Sequence, residues 1–177
     1  MKKFTVPTKA EVSETNQHIF DNLQKNMGMV PNLYAYFGKN ETALADYLTL
    51  QSRKNTLTAK EREVINLVVS QVNNCKYCLA AHTVVGKMNG FTDEQVLEIR
   101  KAAISFDSKL AVLAEFVKET SATHGEPSAD TVEALFEAGY TEANLIDILI
   151  VIGDKTISNY LHKITQLPID FPAAPEV

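Results

Sequence analysis

The spacing of apolar residues constrains the fold of this chain more than any other feature of its sequence. Apolar side chains recur every three or four residues almost throughout, for example at Val64, Leu67, Val68 and Val72. This spacing places them on one face of an α-helix, whereas a half-buried strand would alternate apolar and polar residues. The sequence therefore predicts an all-α protein.

Capping residues and helix breakers locate the ends of the predicted helices. Thr58 with Glu61, and Thr92 with Gln95, have the spacing of a capping box, in which two side chains satisfy the free amides of the first turn. Glycine and proline residues mark several ends. The predicted helices run from Ser13 to about Met27, Asn32 to Phe37, Glu41 to Arg53, Thr58 to the Asn73-Asn74 pair, about Cys75 to Met88, Thr92 to about Ala102, Asp107 to Thr123, Ser128 to Ala138 and Glu142 to about Gln166.

Length and charge restrict the domain count and the possible partners. A chain of 177 residues without a long linker is most simply one domain, spanning 1–177, with its sequence motifs concentrated at about 58–90. The net charge of −5 and the lack of a lysine- and arginine-rich run argue against binding to nucleic acid. No apolar run approaches the roughly 18 residues of a membrane span, and the N-terminus does not resemble a signal peptide. We therefore expect a cytoplasmic location and no membrane partner.

The two cysteines of the chain form the strongest candidate site. Cys75, Cys78 and His82 have the spacing i, i+3 and i+7, which places them on one face of a helix. Asn74 is a good N-cap residue, so we expect Cys75 at the first position of that helix, where the helix dipole favours a thiolate. His82, one turn after Cys78, is suitably placed to take its proton.

A histidine that acts as a base needs an orienting partner, usually a carboxylate or a carbonyl. The preceding helix offers Glu61 and Glu63, and Glu61 is already occupied in the capping box. Glu63 lies beside the apolar Val64, so we expect its side chain to point inward, towards His82. The alternative for Glu63 is a solvated carboxylate that stabilises the first turn of the helix.

The residues alone leave three interpretations of the cysteine pair open. Cys75 and Cys78 could be two ordinary buried thiols, a redox pair with His82 as its base, or zinc ligands with His82, completed by Glu63 or water. A pair with CxxC spacing in a reducing compartment favours catalysis or metal binding over a permanent disulfide. A helical set at i, i+3 and i+7 forms an awkward tetrahedron for zinc, so we favour the redox pair.

The order and spacing of Glu63, Cys75, Cys78 and His82 resemble the Glu-x11-Cys-x2-Cys-x3-His signature of the alkylhydroperoxidase D family. That family is part of the carboxymuconolactone decarboxylase-like superfamily. The segments Gly28 to Leu33 and Asn159 to Pro172 resemble peroxidase-related members of the wider group. The likeness covers most of the chain, although only the four site residues are specific.

The resemblance implies an AhpD-like helical bundle with the CxxC pair at the N-terminus of a helix. It also implies roles for the four residues: Cys78 attacks a hydroperoxide, Cys75 resolves the product as a disulfide, His82 relays protons and Glu63 polarises His82, directly or through water. A thiol or dithiol, either small or protein-borne, would reduce the disulfide. No metal, haem or flavin cofactor is implied. Family members form dimers, trimers or hexamers, so a homo-oligomer is expected.

The expected function is therefore that of an enzyme, a thiol-dependent alkyl hydroperoxide reductase with an antioxidant role. Two alternatives use the same residues: a thiol–disulfide oxidoreductase that serves a protein or dithiol partner without peroxidase turnover, and a zinc-stabilised structural module. A decarboxylase is a weaker alternative, since that branch of the superfamily lacks the cysteine pair as a rule. Tyr77 stands where well-known family members carry a histidine between the cysteines, which distinguishes this chain from them.

Overall fold

The computed structural model of the chain describes residues 3–177, and these residues are helical with no strand. The prediction of an all-α fold is thereby confirmed. A 3-10 turn at Lys9–Glu11, which the periodicity did not indicate, precedes the first α-helix. The α-helices of the described residues are α1 (Glu14–Met27), α2 (Asn32–Phe37), α3 (Ala43–Ser52), α4 (Ala59–Val72), α5 (Lys76–Met88), α6 (Asp93–Lys101), α7 (Ser108–Ala122), α8 (Ala129–Glu137) and α9 (Glu142–Thr165).

The capping residues place most helix ends where the sequence predicts them. Both capping boxes are present, with the side chains of Thr58 and Thr92 accepting hydrogen bonds from the third residue of their helices. The helix α3 is shorter than predicted. Asn40 Oδ1 accepts hydrogen bonds from the amides of Thr42 and Ala43, both at 3.1 Å, and so takes the place of the helical turn that was expected to start at Glu41.

The chain forms two compact units, each of which is described by itself. The first comprises the residues up to Lys54 together with Leu161–Asp170. Its small core contains Phe20, Ala35 and Leu44. The Asp170 carboxylate accepts a hydrogen bond of 2.7 Å from the amide of Asn32, which satisfies a free donor in the first turn of α2.

The second unit comprises Asn55–Tyr160 and Phe171–Val177, and α4 lies at its centre. This helix packs against α5, α6 and α7, so it is buried on almost every side. A helix enclosed in this way has to be apolar nearly all round, and Val64, Ile65 and Leu67 are fully buried. The polar residues of α4 that are enclosed with them must find their partners inside the protein.

The residues of α9 that belong to the second unit place polar as well as apolar side chains inward, and Ile148 is fully buried in the core. Its buried face carries polar side chains, including those of Asp147 and Asn159. Its exposed face carries large apolar side chains, among them Ile146, Leu149 and Ile157. Burial of polar groups is costly unless they are hydrogen-bonded, so the inward face of α9 is expected to serve specific polar contacts.

Two predictions about the whole chain stay predictions. These are the single domain at 1–177 and the cytoplasmic location. Among the described residues, none of the helices combines the length and the apolar character that crossing a bilayer requires.

Candidate functional site

Glu63 and His82, which lie on different helices, are in direct contact in the second unit. Glu63 is on α4 and is only 6% exposed, so it is not the solvated carboxylate of the alternative interpretation. Its Oε2 atom lies 2.8 Å from His82 Nδ1 on α5. The inward direction expected for Glu63 is therefore observed, and no bridging water is needed between the two side chains.

Both carboxylate oxygens of Glu63 have a hydrogen-bond partner. Asn66 Nδ2 donates to Oε1 at 2.8 Å, from a position one turn further along α4. Because an ionised carboxylate only accepts hydrogen bonds, His82 Nδ1 must carry the proton of its contact with Oε2. The lone pair of the neutral ring is then on Nε2, which is the nitrogen available to accept a proton from another group.

Burial and charge set the protonation state of this pair. Burial lowers the pKa of His82, the positive charge of Lys155 lowers it further, and Glu63 opposes both effects without overcoming them. Burial works to raise the pKa of Glu63, but His82, the Asn66 hydrogen bond and Lys155 outweigh it, and the pKa lies below its usual value. At neutral pH the pair is thus a carboxylate beside a neutral imidazole, the state in which a histidine can act as a base.

Cys75 and Cys78 are joined as a disulfide, with Cα atoms 5.3 Å apart. Cys75 is completely buried and Cys78 is 3% exposed. The Cys75 sulfur also accepts a hydrogen bond of 3.3 Å from the amide of Cys78. The pair therefore lies at the N-terminus of a helix, as the sequence predicts, where free amides and the helix dipole favour negative charge on sulfur.

The capping role assigned to Asn74 was wrong by one residue. Cys75 is the N-cap of α5, and Asn74 adopts a left-handed conformation with φ of 49°. The Cys75 amide donates to Ser70 O at 2.9 Å and the Asn74 amide to Gln71 O at 3.0 Å. These two bonds are those of a Schellman motif, which ends α4. Asn74 thus closes one helix, and Cys75 opens the next.

Two residues near the pair were not identified from the sequence. Asn66 lies three residues after Glu63, a spacing at which helical side chains meet, so this signal was available. Lys155, on α9, is 4% exposed, and its positive charge lowers the pKa of both Glu63 and His82. A lysine within an apolar helix was the available sign in that case, because lysine is seldom buried without a partner.

Tyr77, which lies between the two cysteines in the sequence, makes a packing contact. Tyr77 is buried and packs edge to face against Phe171, with ring centroids 5.6 Å apart. Within residues 3–177 there is no group of three or more histidine, cysteine, aspartate or glutamate side chains arranged to hold a metal ion.

The fold and the site together define a class: an AhpD-like helical protein with a CxxC pair at the start of a helix. Residues 39–118 match the model of the carboxymuconolactone decarboxylase family. The predicted resemblance to the carboxymuconolactone decarboxylase-like superfamily is thereby confirmed over this segment, and the fold is AhpD-like.

Solved structures with the same fold cover nearly the whole chain. An uncharacterized peroxidase-related protein from Silicibacter sp. TM1040 is 24% identical, with a TM-score of 0.82 over 94% of this chain and 92% of that chain. The alkylhydroperoxidase AhpD core of an uncharacterized peroxidase-related protein from Ralstonia eutropha JMP134 is 20% identical, with a TM-score of 0.83 over 95% and 92%. The debrominase Bmp8 in complex with 2,3,4-tribromopyrrole is 15% identical, with a TM-score of 0.79 over 96% and 92%. No curated protein sequence matches the chain.

Proposed function

We propose that the protein is an enzyme, a thiol-dependent reductase of alkyl hydroperoxides that uses Cys78, Cys75, His82 and Glu63. The observation that carries the proposal is the Glu63–His82 contact of 2.8 Å, which leaves a basic imidazole nitrogen on the helix that begins with the cysteine pair. A nucleophilic cysteine needs a nearby base and a positive electrostatic environment. The family match supports a peroxidase-related activity in the same direction.

The proposed reaction starts from the reduced pair. His82 Nε2 takes the proton of the Cys78 thiol, and the thiolate attacks one oxygen of the hydroperoxide. The O–O bond breaks, Cys78 becomes a sulfenic acid, and the departing alkoxide takes a proton to leave as an alcohol. The Cys75 thiolate then attacks the Cys78 sulfur and releases water, which forms the disulfide. A thiol or dithiol donor reduces the disulfide and is itself oxidised.

The two cysteines have different surroundings, which supports this division of roles. Cys78 is one helical turn before His82 and retains some exposure, whereas Cys75 is completely buried. A substrate oxygen needs access to the attacking sulfur, while the resolving sulfur only has to reach its neighbour. We therefore assign the attack to Cys78 and the resolution to Cys75.

A stoichiometry measurement tests the proposed function. The reduced protein is mixed with an alkyl hydroperoxide in the absence of a donor, and free thiols, remaining peroxide and bound zinc are counted. We expect two thiols to be lost for each peroxide consumed, because a single disulfide forms. Thiols that persist in excess peroxide would contradict the proposal.

The same sample distinguishes the alternative functions. If peroxide is not consumed but the disulfide exchanges with a dithiol such as lipoamide, the protein is a thiol–disulfide oxidoreductase. If zinc is bound stoichiometrically and its removal by a chelator unfolds the protein, the pair belongs to a structural module.

We also propose that the protein forms a homo-oligomer through the outer face of α9. The exposed residues Ile146, Leu149, Ile157 and Tyr160 form an apolar stripe along this helix. Their spacings of three, eight and three residues place them on one face of the helix, which can pack against a second copy of itself. An exposed apolar surface of this kind typically marks an interface.

Sedimentation velocity tests this interface. We expect the wild-type protein to sediment as an oligomer and Ile157→Glu to shift it towards the monomer, because a buried unpaired charge would be costly at the interface. Met88→Glu is the matched control, since Met88 is an exposed apolar residue on α5. A monomeric wild-type protein, or equal dissociation in both variants, would contradict the proposed interface.

A further inference from the structure

A buried lysine in the second unit has no part in the proposed reaction. Lys155, on α9, is 4% exposed, and the neighbouring Asp154 is buried as well. Burial of an ammonium group is costly unless nearby negative charge or hydrogen bonds compensate for it. The position of Lys155 therefore calls for a charge partner inside the protein.

Two contacts between α9 and the segment that contains α4 give the relative direction of these two helices. Near the start of α9, Asp147 Oδ2 accepts a hydrogen bond of 2.7 Å from the amide of Thr56, just before α4. Further along, Asn159 Nδ2 donates to Ser70 Oγ at 3.3 Å, near the end of α4. Because both contacts follow the same order in the two segments, α9 and α4 run in parallel.

This register places Lys155 level with a residue that supports the Glu63 carboxylate. One helical turn before the Asn159–Ser70 contact is Lys155 on α9 and Asn66 on α4. Asn66 is the residue that donates to Glu63 Oε1 at 2.8 Å. Lys155 is thus level with the support of Glu63, on the buried face of α9.

The charges around His82 are consistent with this placement. Glu63, on α4, contacts the His82 ring, and the charges of Asp154 and Lys155, both on α9, act on its pKa. Lys155 lowers the pKa of His82, whereas Glu63 and Asp154 act to raise it. For Lys155 itself, burial lowers the pKa, and Asp154 and Glu63 oppose this effect. The buried group thus contains two carboxylates, one ammonium and one imidazole.

We propose that Lys155 is a positioning residue of the Glu63–His82 pair, whose ammonium group balances the carboxylate so that His82 remains a neutral proton acceptor. Without this positive charge, the Glu63 carboxylate would favour a doubly protonated imidazolium. An imidazolium has no free lone pair and cannot take the proton of Cys78. The inference about activity rests on the proposed function, but the inference about His82 does not.

The test compares Lys155→Met with the wild-type protein in two measurements. The first is an NMR titration of the His82 ring in the disulfide form, with its signals assigned by their absence in His82→Gln. We expect the titration midpoint of His82 to move to higher pH in Lys155→Met. The second is the pH profile of kcat/KM for the hydroperoxide, where the acid limb should move in the same direction and activity near pH 6 should fall by about tenfold.

Three further variants make the result specific. Lys155→Arg keeps the positive charge and should keep the wild-type midpoint, and Lys163→Met removes an exposed lysine of the same helix and should change nothing. Asp154→Asn removes a negative charge and should move the midpoint in the opposite direction, to lower pH. This variant also tests the proposal if Lys155→Met does not fold.

An unchanged His82 midpoint in folded Lys155→Met, or in Asp154→Asn, would overturn the proposed role of Lys155. If the His82 midpoint shifts in Lys155→Met but the wild-type protein consumes no peroxide, the proposed function is overturned and the role of Lys155 is supported. The two failures are therefore distinguishable.

Discussion

Cys78→Ser is expected to reduce the steady-state turnover of an alkyl hydroperoxide by at least about 1,000-fold, because a serine hydroxyl cannot replace the attacking thiolate. Turnover is measured as peroxide consumption in excess dithiol. The variant should fold normally, since serine differs from cysteine by a single atom and the affected position is at the start of a helix whose cap is Cys75.

Cys75→Ser is the matched control for this experiment. It removes the other cysteine but leaves the proposed nucleophile in place, so Cys78 should still react once and stop as a sulfenic acid. One equivalent of peroxide should be consumed, and a sulfenic-acid reagent should label Cys78. If Cys75→Ser loses the single turnover and Cys78→Ser retains it, the attacking and resolving roles are reversed. Undiminished turnover in Cys78→Ser would exclude the proposed chemistry.

Glu63→Gln is expected to lower kcat/KM by about 100-fold, although the substitution hardly changes the size of the side chain. Asn66 Nδ2 donates to one oxygen of Glu63, and the oxygen of a glutamine would take that place. The glutamine NH2 group would then face His82 Nδ1 and donate to it. This arrangement puts the ring proton on Nε2, so the nitrogen needed as the base would be blocked.

Glu61→Gln is the control for this substitution. Glu61 lies on the same helix, and its carboxylate accepts hydrogen bonds from Thr58 in the capping box at 2.8 and 2.9 Å. Glutamine can serve in such a box, so Glu61→Gln should retain nearly full activity. An imidazole NMR spectrum provides an independent readout: His82 should change from the Nδ1-protonated to the Nε2-protonated form in Glu63→Gln only. Equal activities of the two variants would refute the assigned role of Glu63.

The helices and the central pair of the site could be predicted because their signals are local. The spacing of apolar residues and the capping boxes at Thr58 and Thr92 depend on neighbours within one or two turns of a helix. Glu63 and His82 are on consecutive helices joined by a short connection, so their approach follows from the tight turn between them. Their contact distance required the three-dimensional structure, whereas the second bond of Glu63, from Asn66, had a local signal in the spacing of three residues.

The error at Asn74 has a physical origin. Asparagine is favoured both as a helix N-cap and as a left-handed residue that ends a helix. Asn73, Asn74 and Cys75 lie between two helices, so each property fits the local sequence and the choice depends on the length of α4. The Schellman bonds of Asn74 and Cys75 decide it in favour of the helix end. The thiol therefore occupies the cap itself rather than the position after it.

The sequence marks Lys155 as an unusual lysine within an apolar helix, but local patterns could not place it near the site, because the outer face of α9 carries the stronger apolar signal. Ile146, Leu149 and Ile157 suggest a core-facing stripe, yet they are exposed. The buried face carries polar side chains in addition to the apolar Ile148, and the polar partners are on a segment almost 90 residues earlier, as in the contact between Asn159 and Ser70. Such a pairing between distant segments is decided by tertiary packing, which overrides the periodicity of a single helix.

The hydrogen bond from the Cys78 amide to the Cys75 sulfur makes the backbone itself a spectroscopic reporter. The acceptor of this bond is a disulfide sulfur in the structure, and it would be a thiol or a thiolate after reduction. A change in the charge and bonding of an acceptor alters the resonance frequency of the donor proton. The amide signal of Cys78 can thus follow each half of a redox cycle in real time, on unlabelled thiols and without a chemical trap.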